Sequence, residues 1–346
     1  MDTEFEGPGK DVAASESGTR TRRQFLKGAA VLAGGAGLIG TGIWAWAGGR
    51  PDPAELPPGG TDPWLDRLAE NTVSGGPGKD GIPAIDKPRF VAAGEMPELS
   101  RGDPVFGLEW RGEARAYPQM VLVWHEIVND VIGGERISVT YCPLTGSAFG
   151  VRGEAGNKPL TFGTTGQLVN SNLLMYDRQT DSEWPQIAGV AIRGRLRGQR
   201  LSTVPLVWSS WGHWRDAHPD TRVLSADTGH VRDYGADPYG SYTPPGGYYT
   251  DDALLFPVLD SSDRFKPKEI VLGVRAGDRT AAVAKHVVRR RGEVGFTLGG
   301  EPLVAAWDDR LGTARVRHAD SDEPADFFEV MWFAWYAFYS DTEVIE

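Results

Sequence analysis

The chain has 346 residues, a formal net charge of -11 and a single cysteine. An acidic surface repels phosphate groups, so this charge argues against nucleic acid and anionic lipid as partners. One cysteine excludes an internal disulfide, and a chain of this length must therefore be stabilised by its hydrophobic core.

The N-terminal segment has the organisation of a twin-arginine (Tat) export signal. Arg22 and Arg23 precede an apolar, Gly/Ala-rich stretch that ends in the small-residue triplet Ala45-Trp46-Ala47, as expected for such a signal. We expect residues 1–47 to direct the folded protein to the Tat translocase and to an extracytoplasmic location: periplasm, cell surface or medium. The stretch 28–47 is either cleaved off or kept as a membrane anchor, because its length is near the lower limit of a span.

The chain after the signal divides into a linker and a body. Residues 48–63 are rich in Pro and Gly and predict an unstructured linker. Residues 64–346 contain short alternating apolar runs, frequent Gly and Pro turns and many aromatic side chains. These features predict a single globular α+β body that is mainly β.

Part of this body is repeated along the chain. Residues 105–151 align without a gap with residues 271–317. Each copy predicts a β-hairpin, an amphipathic helix and two further strands. We therefore expect a duplicated hairpin-helix-strand-strand unit whose two copies pack as a pseudo-symmetric pair.

The duplication also sets approximate boundaries. Copy one spans about 82–176 and copy two about 256–339, with the stretch before Met175 matched to the aromatic cluster at 335–339. A loop-rich segment of about 177–255 is then an insert between the copies.

The two copies differ in their reactive side chains. Cys142 in the first copy aligns with Asp308 in the second, and His125 aligns with Arg291. A single active site leaves its residues in one copy only, so we expect the chemistry in the first. Short connections favour packing of the helix that carries His125 across the strand that ends at Cys142, which would bring the imidazole to the sulfur.

Three hypotheses follow from this pair. The first is a soft-metal site, with copper as the natural ion, in which Cys142, His125 and Met175 are ligands. The second is a thiol enzyme with Cys142 as nucleophile and His125 as base. The third is a non-catalytic binding protein of the cell envelope, in which Cys142 is structural.

Polar and aromatic side chains downstream of the cysteine are expected to line the site. These residues are Thr145, Ser147, Asn170, Asn172, Asp177, Arg178, Glu183, Trp184 and His230.

Four strings resemble the family catalogued as domain of unknown function 3179. The likeness extends from about Gly81 to Tyr339 and implies no particular reaction or ligand. The strings are YCPLTGSA at 141–148, GQLVNSNLLMYDRQTDSEWPQ at 166–186, HPDTRVLS at 218–225 and TGHVRDYGADPYGSY at 228–242.

Overall fold

A computed structural model describes residues 62–155 and 157–346. The export signal and almost all of the linker lie outside these ranges. Within them no helix combines the length and apolar content needed to cross a membrane. The described residues are mainly β, as predicted. Their five α-helices are α1 (Pro63–Glu70), α2 (Gln119–His125), α3 (Trp211–Ala217), α4 (Lys285–Arg291) and α5 (Trp332–Phe338).

The first helix starts inside the predicted linker. Pro63 is its first residue, and the side chain of Asp62 accepts a hydrogen bond from the N–H of Trp64 at 2.9 Å. Proline at the first helical position and aspartate at the cap are the usual signals of a helix start.

The strands up to helix α3 include the first hairpin and the strand that carries Cys142. They are β1 (Val73–Ser74), β2 (Phe90–Ala92), β3 (Pro104–Trp110), β4 (Glu113–Pro118), β5 (Ile127–Ile132), β6 (Glu135–Cys142), β7 (Ser147–Arg152), β8 (Glu154–Ala155), β9 (Lys158–Pro159), β10 (Phe162–Val169), β11 (Asn172–Asp177), β12 (Glu183–Pro185), β13 (Ser202–Val204) and β14 (Val207–Ser210).

The strands after helix α3 include the second hairpin. They are β15 (Arg222–Leu224), β16 (Gly240–Tyr242), β17 (Pro245–Gly247), β18 (Ile270–Ala276), β19 (Arg279–Ala284), β20 (Glu293–Leu298), β21 (Glu301–Asp308), β22 (Thr313–His318), β23 (Asp326–Met331) and β24 (Glu343–Ile345).

Each half of the described chain builds one sheet around a hairpin and one sheet from a three-stranded meander. The sheets of the first half have the orders β14-β3-β4-β15-β2 and β13-β7-β6-β5, and those of the second half β23-β18-β19-β24 and β20-β21-β22. A further sheet, β1-β10-β11-β12, lies against the first meander through β10. The pairs β16-β17 and β8-β9 form small separate hairpins.

The element bounds of the two halves coincide after a constant shift. A shift of 166 residues carries β3, β4, α2, β5, β6 and β7 onto β18, β19, α4, β20, β21 and β22, residue for residue. A shift of 121 residues carries α3 and β15 onto α5 and β24. The strand register agrees as well, because Ala116 pairs with Gly107 and Val223 where Ala282 pairs with Gly273 and Val344.

The same glycine–tryptophan contact occurs in both halves. A Cβ atom added to Gly107 would lie 2.2 Å from the Trp214 ring, and one added to Gly273 would lie 2.3 Å from the Trp335 ring. Each indole donates its N–H to a threonine, at 3.0 Å in the first half and 2.9 Å in the second. Only glycine leaves room for a tryptophan packed on the hairpin in this way.

These contacts correct one detail of the repeat. The aromatic cluster at 335–339 was matched with the stretch before Met175, but Trp335 occupies the position of Trp214. Strand β14, helix α3 and strand β15 therefore pair with the first hairpin, although they lie within the segment predicted to be an insert. The sequence comparison missed this because Trp214 and Trp335 follow a connection that is shorter in the second half.

Candidate functional site

Cys142 is the last residue of strand β6 and is fully buried. Its Sγ lies 3.9 Å from the carbonyl oxygen of Ser171. Burial in an apolar core raises the pKa of this thiol to about 11. The sulfur is therefore protonated at neutral pH unless another group takes its proton.

Glu126 directly follows helix α2 and is a buried acid without a hydrogen-bonding partner. Its residue is 6% exposed, and no described residue bonds to its carboxyl. Burial alone raises its pKa from 4.5 to about 8. The fully enclosed unbonded side-chain atoms of the described residues are Arg152 Nε and His218 Nε2, so the Glu126 carboxyl keeps some contact with solvent.

The backbone brings Glu126 to the end of the cysteine strand. The carbonyl oxygen of Glu126 accepts a hydrogen bond from the N–H of Tyr141 at 2.7 Å. After burial, the Glu126 charge is the largest cause of the raised pKa of Cys142. The effect runs one way because Glu126 ionises first, while the thiol is still neutral. These two groups form the centre of the candidate site.

Two tyrosines complete this centre. Burial and then the charge of Glu126 raise the pKa of Tyr239, and burial and then the charge of Cys142 raise that of Tyr248. The Tyr248 hydroxyl donates to the carbonyl oxygen of Leu144 at 2.8 Å, whereas no described residue bonds to the Tyr239 hydroxyl. The site thus contains a thiol, a carboxyl and two phenols, all uncharged at neutral pH.

Both tyrosines belong to a segment, residues 234–249, that we call the tyrosine cover. The Asp237 carboxylate accepts hydrogen bonds from the Gln119 amide at 2.9 Å and from the Tyr249 hydroxyl at 2.8 Å. The indole N–H of Trp124 donates to the carbonyl oxygen of Ala236 at 3.0 Å. The cover is therefore held against helix α2 by several buried hydrogen bonds.

A family described as "Protein of unknown function (DUF3179)" matches residues 79–342. This chain belongs to that family. No curated protein and no solved structure matches it.

The predicted pair of Cys142 and His125 is not formed in this DUF3179 protein. The ring nitrogens of His125 bond to the carbonyl oxygen of Pro83 and to the hydroxyl of Tyr234, each at 2.7 Å. The left-handed backbone at Glu126 turns the chain where the helix ends, so the carboxyl and not the imidazole reaches the sulfur. The base of the thiol hypothesis therefore changes from His125 to Glu126.

His125 belongs to a second buried group under the cover. Desolvation lowers its pKa to about 4, and the imidazole is neutral at neutral pH. His230, predicted to line the site of Cys142, lies beside His125 instead, with 5.4 Å between the ring centroids. Tyr234 continues the group by a hydrogen bond to Thr228 at 2.5 Å.

Three of the predicted lining residues hold the cysteine loop in place. Thr145, Ser147 and Asn172 are fully buried and share hydrogen bonds with one another and with Gln186. The backbone N–H of Ile187 donates to the remaining oxygen of Asn172. This network satisfies its own polar groups, so these three side chains orient the loop and do not face a ligand.

The other predicted lining residues are bonded away from the thiol. The Asn170 side chain joins Ala337 and Leu259. Asp177 accepts from the indole N–H of Trp184 at 3.0 Å and from the turn at 180–182. Arg178 forms an ion pair with Asp86 at 3.1 Å, and Glu183 forms one with Arg193 at 2.7 Å. Sequence alone did not reveal these partners, because most come from distant parts of the chain.

The metal hypothesis loses one of its ligands to this arrangement. His125 is engaged elsewhere, and Met175 is a fully buried core residue paired with Thr164 and Trp184 across its sheet. The described residues hold no group of three or more His, Cys, Asp or Glu side chains arranged for a metal ion. Copper binding stays a prediction.

Sequence reasoning missed Glu126 although the repeat contains a signal for it. The shift of 166 residues places Glu126 on Gly292, which has φ of 83°, while Glu126 has φ of 58°. Glycine is the usual residue at such a helix end. A glutamate in its place, buried and aligned with a cysteine found in one copy only, marks an unusual position.

Proposed function

We propose that this DUF3179 protein is an exported thiol enzyme in which Cys142 is the nucleophile and Glu126 transfers its proton. One observation carries the proposal: a carboxyl that is 6% exposed and bonded to no described residue lies where its charge acts on the only thiol. Buried polar groups are nearly always hydrogen-bonded. Exceptions with a shifted pKa are concentrated at functional sites.

The pKa values suit the assigned roles. A general acid or base is most effective when its pKa lies near the working pH, and that of Glu126 is raised to about 8. The thiol, whose pKa is raised to about 11, needs a base to become a nucleophile. Proton transfer from Cys142 to Glu126 supplies the thiolate at the moment of attack.

The backbone at Glu126 adds support. A left-handed conformation costs a non-glycine residue about 1–2 kcal/mol, and burial of an unpaired acid adds to this. Local strain of this kind persists where function requires it. The second half avoids the cost by using Gly292 at the same place.

We infer that the chain arose by duplication and that its halves pack as a pseudo-symmetric pair with one site. The coincident bounds and the two glycine–tryptophan contacts support the duplication. Contacts between the halves support the packing: the Thr145 carbonyl oxygen accepts from the Met331 N–H at 2.9 Å, and the Leu311 carbonyl oxygen accepts from the Ser209 hydroxyl at 2.5 Å. Thr145 and Leu311 are 166 residues apart, so equivalent loops make both contacts.

Export is supported by the sequence of residues 1–47. Substitution of both Arg22 and Arg23 by Lys should abolish transport through the Tat translocase, measured as loss of the protein from the extracytoplasmic fraction. Unchanged export of that variant would contradict this part of the proposal.

The thiol chemistry is tested by alkylation of the folded protein with iodoacetamide. Peptide mapping should find Cys142 labelled faster than the chain unfolds globally, with no label in Cys142→Ser. Labelling only at the rate of global unfolding would contradict the proposal. Together with unchanged stability of Cys142→Ser, it would favour a non-catalytic binding protein of the envelope.

A further inference from the structure

The groups around Cys142 share one electrostatic property. The thiol, the Glu126 carboxyl and the Tyr239 hydroxyl each carry a proton that they can donate, and no described residue bonds to the carboxyl or to that hydroxyl. A site formed by unbonded neutral donors lacks a partner that accepts. An acceptor atom of a ligand would complete it.

The same groups disfavour a charged ligand. Burial alone shifts the pKa of Glu126, which means that no described cation acts on this carboxyl. Lys268 lies 3.4 Å from the centroid of the Tyr248 ring, but its ammonium donates to the carbonyl oxygens of Tyr248 and Ala253. An anion placed beside Glu126 would therefore be buried without a countercharge, at a cost of several kcal/mol.

We propose that the substrate group at this site is an uncharged carbonyl, which accepts a proton from Glu126 while Cys142 attacks its carbon. This inference rests on the proposed thiol function. Oxygen is the acceptor that the site lacks, and the carbonyl carbon is the electrophile that a thiol requires. Tyr239 adds a second donor to the same oxygen, as in the sites that stabilise a developing oxyanion.

The step balances without a co-reactant. The Sγ–C bond forms and the C=O π bond breaks, with its electron pair moving to oxygen. That oxygen takes the proton of the Glu126 carboxylic acid, while the Sγ proton passes to the other oxygen of the same carboxyl. With an aldehyde the product is a hemithioacetal. Neither Glu126 nor Cys142 becomes charged overall, which suits a site closed to most solvent.

A matched pair of aldehydes tests the inference on the full folded protein. Acetaldehyde and glyoxylate, each ¹³C-labelled at the aldehyde carbon, differ in charge, and NMR detects their hemithioacetals. Relative to a free thiol in solution, the protein should favour the acetaldehyde adduct over the glyoxylate adduct by about tenfold or more. Cys142→Ser should form neither, and Glu126→Gln should slow addition about 100-fold.

The outcomes separate the two proposals. Equal preference for the two aldehydes, or no adduct from a thiol that iodoacetamide still labels in the folded state, overturns the uncharged-carbonyl inference and leaves the thiol function standing. Absence of both adduct and label in the folded protein overturns the thiol function itself.

Discussion

Glu126 occupies, in the first half of the chain, the left-handed backbone position that Gly292 occupies in the second. Both follow the last residue of a seven-residue helix, and their φ angles are 58° and 83°. Their backbone carbonyls also serve equivalent strands, because Glu126 accepts from the N–H of Tyr141 and Gly292 from the N–H of Trp307, each at 2.7 Å. The two halves thus share a scaffold and differ in whether a carboxyl stands on it.

The buried carboxyl should make stability depend on pH. The folded pKa of Glu126 is raised from 4.5 to about 8, so the unfolded chain loses this proton first as pH rises. The free energy of unfolding should fall by a few kcal/mol between pH 4.5 and pH 8. Urea unfolding of Glu126→Gln should lack this fall, whereas Glu301→Gln, at an exposed position, should keep it. A parallel pH dependence in wild type and Glu126→Gln would contradict the burial of this acid.

His125 should act in the opposite direction at acidic pH. Its folded pKa is lowered from 6.5 to about 4, so the unfolded chain binds a proton first as pH falls through this window. Stability should be lost from pH 6.5 down to about pH 4. His125→Gln should show a smaller loss in urea unfolding across that range, and His286→Gln, on the surface, should behave as wild type. Equal acid sensitivity of all three proteins would refute this role of His125.

The glycine–tryptophan contacts should be equally important in both halves. Gly107→Ala and Gly273→Ala would each force a Cβ against an indole ring, and we expect each to lower the free energy of unfolding by about 1–3 kcal/mol or more. Gly295→Ala is the control, because a Cβ there meets nothing within 4 Å. A large loss at only one of the two positions would argue against equivalent packing of the halves.

Metal content separates the thiol account from the copper hypothesis. If Cys142 acts as a nucleophile with Glu126, protein purified from its export route should contain no stoichiometric metal that depends on the thiol. Elemental analysis of wild type beside Cys142→Ser makes the comparison. Stoichiometric copper in wild type that disappears in Cys142→Ser would establish the metal site instead.

The repeat shows what local sequence predicts well. Alternating apolar runs around the turns at 111–112 and 277–278 identified both hairpins, because strand periodicity and turn residues are local signals. The helix and the meander that follow were found for the same reason. The partnership of strand β14 and helix α3 with the first hairpin was missed, since it joins segments about 100 residues apart.

The candidate site was predicted in part. Cys142 was singled out correctly as a residue present in one copy, but proximity in sequence could not decide which neighbour faces it. That choice depends on the backbone angle of Glu126, which sends consecutive side chains to different places. The tyrosine cover was equally hidden, because Tyr239 and Tyr248 reach the thiol from a loop far along the chain.

The most direct measurement is the titration of the Cys142 thiol, followed by its thiolate absorbance, in wild type, Glu126→Gln and His125→Gln. The negative charge of Glu126 raises the thiol pKa, so its removal in Glu126→Gln should lower that pKa by about one unit. His125→Gln should leave it unchanged. A thiol pKa that stays the same in Glu126→Gln, or that shifts in His125→Gln instead, would contradict the assignment of Glu126 as the partner of Cys142.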